Sequence, residues 1–595
     1  MKRTSTEEKG ALAWAGCRKG NSTFFISSDT PELEKGIRNG SNKPAGASAE
    51  RHSFLQYAML HFRDNPIREN HSVTYGGSMR GTVKILGYLT GRRAKKSHLN
   101  DWTWKELTDK VKYSPFPIVT SLLKLENDYL NRLAVDTFTA IMRYMGDLPL
   151  GLLQKEVECV YTILVICHHH SPIRDEVYCQ LMKQTTNNKS LNPESQIRGW
   201  RLLAFIAAFF KCTDSLMPYL MKYFDTAAND TRRAEQATAE LCLHNLRQTI
   251  KCGGRRNVPT DAEVDGITEG KLSKLQAYYL PGGLQLSLLT TSSTVVDDII
   301  KSICSEMGIA NETEFREFSL YCIVEGDQYT MPLENDEYIL DLVAELQRNE
   351  NTFYLVFCRS VWNFELRLDS ELYIEIIFHQ IVPDYLEGFL LVMTCHSLSE
   401  KTMEILLKIA LLLHRSKGNE NEPSMTEIEH LLPKPALNIC MQKEYLWKST
   451  IPNLWESMIP LNKTEAKAQC LEILQRWSLF GSCFFGIKML EEDIEEEYIL
   501  AINKMGVNVL HMETHETQWR FNFAAVYAPY NVVDLNGTTY ADVMFGDRNI
   551  KKTVRLQVDH AHEVTRLIQQ YQLIQEMKEE KENEEINFPA VMIKV

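Results

Sequence analysis

The period of the apolar pattern changes three times along this chain, and that constrains the fold more than any single motif. From Phe54 to about Thr249, apolar residues recur three and four apart between Pro, Gly and Asn punctuation, the mark of packed helices. After 272 the class changes. LQAYYLPGGLQLSLL reads as two short strands around Pro281, Gly282 and Gly283, followed by a helix from about Val295 to Met307 and a strand at 353–357. Helical spacing returns from Leu372 to Trp477, broken by the polar loop SKGNENEP at 416–423. From Phe484 short strands alternate (CFFGIKML, EYILAINKMG, VNVLHM, QWRFNF, VRLQV) and end in a helix from His560 to about Lys578. Cores stop growing beyond about 250 to 300 residues, so a chain of 595 residues must divide.

The expected organisation is therefore multidomain. A disordered leader (1–50), poor in periodicity, precedes an all-α helical array (51–250). A Gly-, Pro- and charge-rich linker (251–272) leads to an α+β lobe (273–358), a helical lobe (368–477), a β lobe with a C-terminal helix (480–578) and a charged tail (579–595).

Several function classes lose support at this level. The longest apolar runs, LLAFIAAFF at 202–210 and ILLKIALLL at 405–413, are far shorter than the ~18 residues of a membrane span. The first residues lack a signal-peptide apolar region, and the 14 cysteines are scattered without a C-x-x-C pair, so a cytoplasmic location with reduced thiols is expected. A net charge of −13 argues against nucleic acid as a partner of the whole chain.

The densest crowd of chemically capable residues is SPIRDEVYCQLMKQTTNN at 171–188, directly after His168, His169 and His170. A helix explains it. Ser171 suits the N-cap, Pro172 the first turn, and Asp175 with Glu176 the positive helix end, while Ile173, Val177 and Leu181 face one way. A metal site would need Cys167 and two of the histidines to converge, although adjacent helical positions point about 100° apart. Packing is the expected role of Cys179.

These strings, and the order of the parts, carry a resemblance. YAMLHFRDNPIR (57–68), SPIRDEVYCQLMKQTTNN (171–188) and GWRLLAFIAAFF (199–210) resemble signatures of the myosin tail homology 4 domain. IIFHQIVPDYLEGFLLV (376–392) and LFGSCFFGIK (479–488) are similar to the helical and pleckstrin-like lobes of a FERM domain. Over about 50–580 the chain resembles the tail of an unconventional myosin, closest in flavour to classes XV and VII. The resemblance implies a ubiquitin-like first FERM lobe, an acyl-CoA-binding-protein-like second lobe and a pleckstrin-like third. It also implies a cytoskeleton-associated adaptor without catalysis or cofactor.

Catalytic signatures are missing in the same way. A motor needs G-x-x-x-x-G-K-[ST] to wrap a triphosphate. The nearest approach, GGSMRG at 76–81, continues with Thr82 and Val83 and reads as a turn before a helix. The chain thus resembles a tail without its motor, either a fragment or isoform of a longer myosin or a protein acting alone. His511 and His515 in HMETHE lack H-E-x-x-H context and read as a surface turn.

Two binding surfaces are expected instead. Lys84, Arg92, Arg93, Lys95 and Lys96 concentrate positive charge in an acidic chain. Since the resemblance implies microtubule binding, these residues are expected to meet an acidic tubulin tail, or another cytoskeletal partner linked to actin. In the last helix Val564, Ile568 and Tyr571 belong to an apolar stripe. The resemblance places a groove for extended cargo peptides or membrane-protein tails between that helix and a neighbouring strand, by β-addition. On that basis Ile568 and Tyr571 are expected to be partly exposed. A membrane-to-cytoskeleton linker using acidic phosphoinositide is the competing reading, with Lys551 and Lys552 as thin support. The resemblance places such a chain with the cytoskeleton, in cell projections.

Overall fold

The computed structural model describes residues 52–63, 104–325, 330–392, 398–442, 447–491, 494–533, 538–546 and 551–587. Nine helices are described in the first domain: α1 (Phe54–His61), α2 (Trp104–Val111), α3 (Asp128–Met145), α4 (Glu156–His169), α5 (Ser171–Thr185), α6 (Ser195–Phe209), α7 (Met217–Ala228), α8 (Gln236–Cys252) and α9 (Asp261–Thr268). They pack around one core that runs from Phe54 to Ile267, with α6 and α8 side by side in parallel, Trp200 against Cys242 and Ala207 against Thr249.

At its centre α5 is buried on every side from Asp175 to Thr185. Its start differs from the sequence expectation by one position. Ser171 is already helical and His170 is the N-cap without a side-chain bond, because the His170 carbonyl accepts from the Ile173 N–H at 3.0 Å. The helix α6 beside it is also buried nearly all round, as its unbroken apolar run requires.

The stretch 251–272, expected as a linker, is folded. The helix α8 continues to Cys252, and α9 buries Val264 and Ile267 in the helical core. Its Gly, Pro and charged residues supply a bend, an N-cap at Thr260 and buried ion pairs, so composition mistook a built junction for a spacer.

Three lobes follow. In the first, β1 (Ser273–Leu280), β2 (Leu284–Thr291), β3 (Phe318–Val324), β4 (Thr330–Pro332) and β5 (Phe353–Arg359) form a sheet in the order β2-β1-β5-β3-β4. Its β1/β5 pair is parallel. Helices α10 (Val296–Glu306), α11 (Glu312–Phe315) and α12 (Ile339–Arg348) complete this lobe. Gly282 and Gly283 both have positive φ, which is why the Pro-Gly-Gly turn can close the hairpin.

The second lobe is helical: α13 (Glu371–Glu387), α14 (Glu400–Ser416), α15 (Met425–Glu429), α16 (Leu437–Met441), α17 (Ile451–Glu456) and α18 (Lys463–Leu474). Its core is continuous with that of the first lobe, from Tyr278 to Phe480.

The third lobe is an antiparallel sheet in the order β10-β11-β12-β6-β7-β8-β9, closed by α19 (Ala561–Asn587). Strands β6 (Cys483–Glu491), β7 (Ile494–Asn503), β8 (Gly506–His511), β9 (Thr517–Phe521) and β12 (Lys551–Gln557) match the alternating runs. Strands β10 (Val526–Val533) and β11 (Thr539–Gly546) carried weaker alternation, and β10 bears a register shift between Tyr527 and Tyr530. The helix α19 reaches Asn587, past the expected start of the charged tail at 579.

Candidate functional site

The helix α5 answers the question its crowded sequence raises. Its polar side chains hold neighbouring backbone in place. The Glu176 carboxylate accepts the Leu122 and Leu123 N–H groups at 2.7 Å each and the Gln180 amide at 2.9 Å. The Gln180 amide also donates to the Ala134 carbonyl at 2.7 Å. The Lys183 ammonium donates to the carbonyls of Asp109, Lys110 and Lys112 at 3.0, 2.9 and 2.6 Å, where the end of α2 leaves carbonyls without helical partners.

Asp175 accepts from the Thr213 N–H at 2.9 Å and from its hydroxyl, and Tyr178 donates to the Phe210 carbonyl at 2.7 Å. Burial raises Glu176 to about 7 and pulls Lys183 down to about 8. It also pushes the Cys167 thiol up to about 12 and Cys179 well above its ordinary value. Such thiols are poor nucleophiles. His168 and His169 are exposed beside buried Cys167, and among the described residues no group of three or more His, Cys, Asp or Glu side chains could hold a metal ion.

On the third lobe, the apolar stripe of α19 is fully committed. Val564 and Ile568 are 0% exposed and Tyr571 is 2% exposed, so the expected partial exposure of Ile568 and Tyr571 is corrected. The physical reason is that α19 faces two partners. Its stripe packs on the sheet, and its flank meets the first lobe and the segment that follows it: the Tyr571 hydroxyl accepts the Trp362 N–H at 2.9 Å, and Tyr321 of β3 donates to Glu563 at 2.6 Å. Arg566 donates to Glu563 at 2.6 Å, and the Gln570 amide to the Arg316 carbonyl at 2.8 Å.

The strand beside α19 is β10, an edge of the sheet that pairs only with β11 among the described strands. Its carbonyl at Val526 already accepts the Gln572 amide at 2.7 Å, and Thr565 donates to Asn531 farther along.

The turn holding His511 and His515 also departs from expectation. His515 is buried, with Nδ1 3.2 Å from the Gly388 carbonyl of the second lobe and its ring 5.1 Å from that of Phe389. It belongs to a lobe interface and not to a free surface turn. The basic residues Lys84, Arg92, Arg93, Lys95 and Lys96 lie outside the described residues, as does the Gly76–Gly81 stretch.

One residue that sequence reasoning passed over joins the helical array to the first lobe. The Arg255 side chain is 0% exposed. Its Nε donates to Asp341 Oδ1 at 2.7 Å, its Nη groups reach both oxygens of Glu263, and its guanidinium lies 4.5 Å from the Phe209 ring centroid. Burial opposes its charge, but Glu263 and Asp341 outweigh that and hold its pKa above the ordinary value. The Arg256 N–H donates to Asp341 Oδ2 at 2.7 Å, and Tyr338 donates to the Gly253 carbonyl at 2.6 Å. Gly254 is required beside it, since a Cβ there would sit 1.8 Å from the Phe209 carbonyl oxygen. Only the Gly-Gly doublet hinted at so close a backbone approach.

Comparison with known proteins fits this geometry. The MyTH4 domain family matches residues 160–266 and the FERM central domain family residues 364–485. Unconventional myosin-XV of Homo sapiens is 30% identical over 475 residues, which covers 78% of this chain and 13% of that protein. Myosin-VIIa of Drosophila melanogaster is 26% identical over 482 residues, covering 78% of this chain and 20% of that protein. The chain thus spans only a small part of these relatives' length. The human Myosin 7b C-terminal MyTH4-FERM domain, solved with the harmonin-a PDZ3 domain, superposes with a TM-score of 0.57 at 22% identity. That likeness, over 90% of this chain and 99% of the other, is one of fold. The chain carries a MyTH4 domain followed by a FERM domain and is homologous to the tails of class XV and class VII unconventional myosins.

Proposed function

We propose that this chain is a non-enzymatic recognition module that joins a cytoskeletal partner to a cargo. The observation that carries this reading is the homology of the MyTH4–FERM pair to unconventional myosin tails. The buried Arg255 junction supports it mechanically, because two partner faces fixed to one body can transmit position between their ligands. The pushed-up thiols named above and the fully engaged polar groups of α5 leave that crowded segment with a scaffold role. The proposed setting is the cytoplasm, on the cytoskeleton and in cell projections.

Lys84, Arg92, Arg93, Lys95 and Lys96 are the proposed contact for an acidic partner such as a tubulin tail. Steering by such a cluster is screened by salt. Co-sedimentation of the full chain with microtubules should weaken about tenfold when Arg92, Arg93, Lys95 and Lys96 are reversed to Glu, and should fall as salt is added. Binding that ignores both changes removes this assignment. Cargo peptides are proposed to add along the β10 edge, with backbone hydrogen bonds supplying affinity. The capture of a PDZ domain by the human Myosin 7b tail domain supports a partner-binding role for this fold.

A further inference from the structure

The end of the helical array at the N-terminus of α6 presents apolar side chains to solvent in a way that no packing requirement explains. Leu152 is 100% exposed and Leu153 is 93% exposed on the connection between α3 and α4, with Leu150 partly exposed beside them. Leu191 is fully exposed on the connection between α5 and α6, and Phe116 is 74% exposed on the segment after α2. Leu153 adopts φ +67°, a left-handed conformation that a leucine takes up at a cost. Scattered exposed leucines need no explanation. A cluster of them at the tips of connections that are tied to one another does.

Hydrogen bonds place these connections at one pole. Ser190 and Ser195 donate to the Asp147 carboxylate at 2.5 and 3.0 Å, and the Asn192 amide donates to the Met145 carbonyl at 2.9 Å. The Tyr113 N–H donates to the Thr186 carbonyl at 3.0 Å, and Ser114 and Gln184 exchange two bonds of 2.9 and 3.1 Å. The pole adjoins the N-terminus of α6. The other end of that helix, about 22 Å away at 1.5 Å per residue, packs on Arg255 at the FERM junction. The tips therefore lie at the end of α6 opposite its contact with Arg255.

Lysines accompany each tip: exposed Lys155 follows Leu152 and Leu153, exposed Lys189 precedes Leu191, and Lys112 precedes Phe116. The acids of these connections are Asp147, bonded to two serines, and exposed Glu126 and Glu194, against Lys112, Lys124, Lys155 and Lys189. Separate apolar tips, each with a lysine near it in the chain, match a bilayer surface, where the hydrocarbon boundary accepts side chains one at a time and anionic headgroups meet the ammonium groups. A protein partner would need a separate pocket for each tip.

We propose that this pole of the MyTH4 domain docks on an anionic membrane, with Leu152, Leu153, Leu191 and Phe116 inserting at the acyl boundary and Lys112, Lys155 and Lys189 engaging the headgroups. This goes beyond the adaptor role: it gives the module a membrane-facing end on its helical array.

The test is flotation of the full chain with vesicles of phosphatidylcholine, with and without phosphatidylserine. Binding is expected only with phosphatidylserine. It should fall about tenfold or more in a variant carrying L152D, L153D and L191D, and persist when Leu152 and Leu191 are replaced by Trp. Because the three leucines are already in solvent, the Asp variant should keep the wild-type melting temperature and circular dichroism. No flotation on either vesicle overturns the proposal. Flotation that survives the Asp variant but is lost on charge reversal at Arg92, Arg93, Lys95 and Lys96 also overturns it, and assigns the membrane to the basic segment. Equal flotation with and without phosphatidylserine overturns the anionic specificity stated here.

Discussion

Glu176 shows how much a single buried side chain decides. It serves two backbone amides of the 121–123 segment and is itself 0% exposed, so its removal strands two donors away from water. Glu176→Ala is expected to cost about 2 to 4 kcal/mol of stability, measured by urea unfolding. The pH dependence has a definite sign. Burial, the largest cause, raises the group from 4.5 to about 7 against the pull of Leu122, Leu123, Gln180 and Arg63. The folded carboxyl then holds its proton more tightly than the unfolded one. Its contribution to stability is fully present below about pH 4.5 and is lost as pH rises to about 7, a span worth about 3 kcal/mol. Glu176→Gln should flatten the melting temperature against pH across that window, and an unchanged slope would assign the titration elsewhere. A sequence reading could place Glu176 in a helix; it could not show that the carboxylate turns inward to hold a loop more than fifty residues away.

Among the elements, α19 illustrates the limit of a periodic stripe. The spacing of Val564, Ile568 and Tyr571 correctly announced a helix with an apolar face. It did not reveal that the flank of the same helix is pinned to the first lobe and the segment that follows it through Tyr571, Glu563, Arg566 and Gln570. Tyr571→Phe keeps the ring stacked on Phe523 and removes only the acceptor for the Trp362 N–H. A loss of about 1 to 2 kcal/mol in thermal or chemical unfolding is expected. Asp at Ile568 or Tyr571 would bury a charge in the core and unfold the lobe, so it cannot report on cargo capture. For β10 the sequence signal failed for a simpler reason: its register shift breaks the alternation on which strand recognition depends.

For the molecule as a whole, the junction at Arg255 determines whether the MyTH4 and FERM parts move together. Replacing Arg255 with Ala leaves Glu263 and Asp341 without their buried cation, and a cost of about 3 to 5 kcal/mol is expected. Unfolding should then separate into two transitions, with faster proteolytic cleavage within 251–272; a single unshifted transition would show that other contacts hold the junction. What the sequence alone determined was the kind and order of the folded pieces, because helix and strand periods, turn residues and total length are local or additive properties. Only the tertiary structure decided which polar residues are buried clamps, that the apparent linker is a junction, and which end of the helical array carries bare leucines. Those outcomes depend on which distant segments come to share one environment, and burial, unlike periodicity, is not a property of any short stretch of chain.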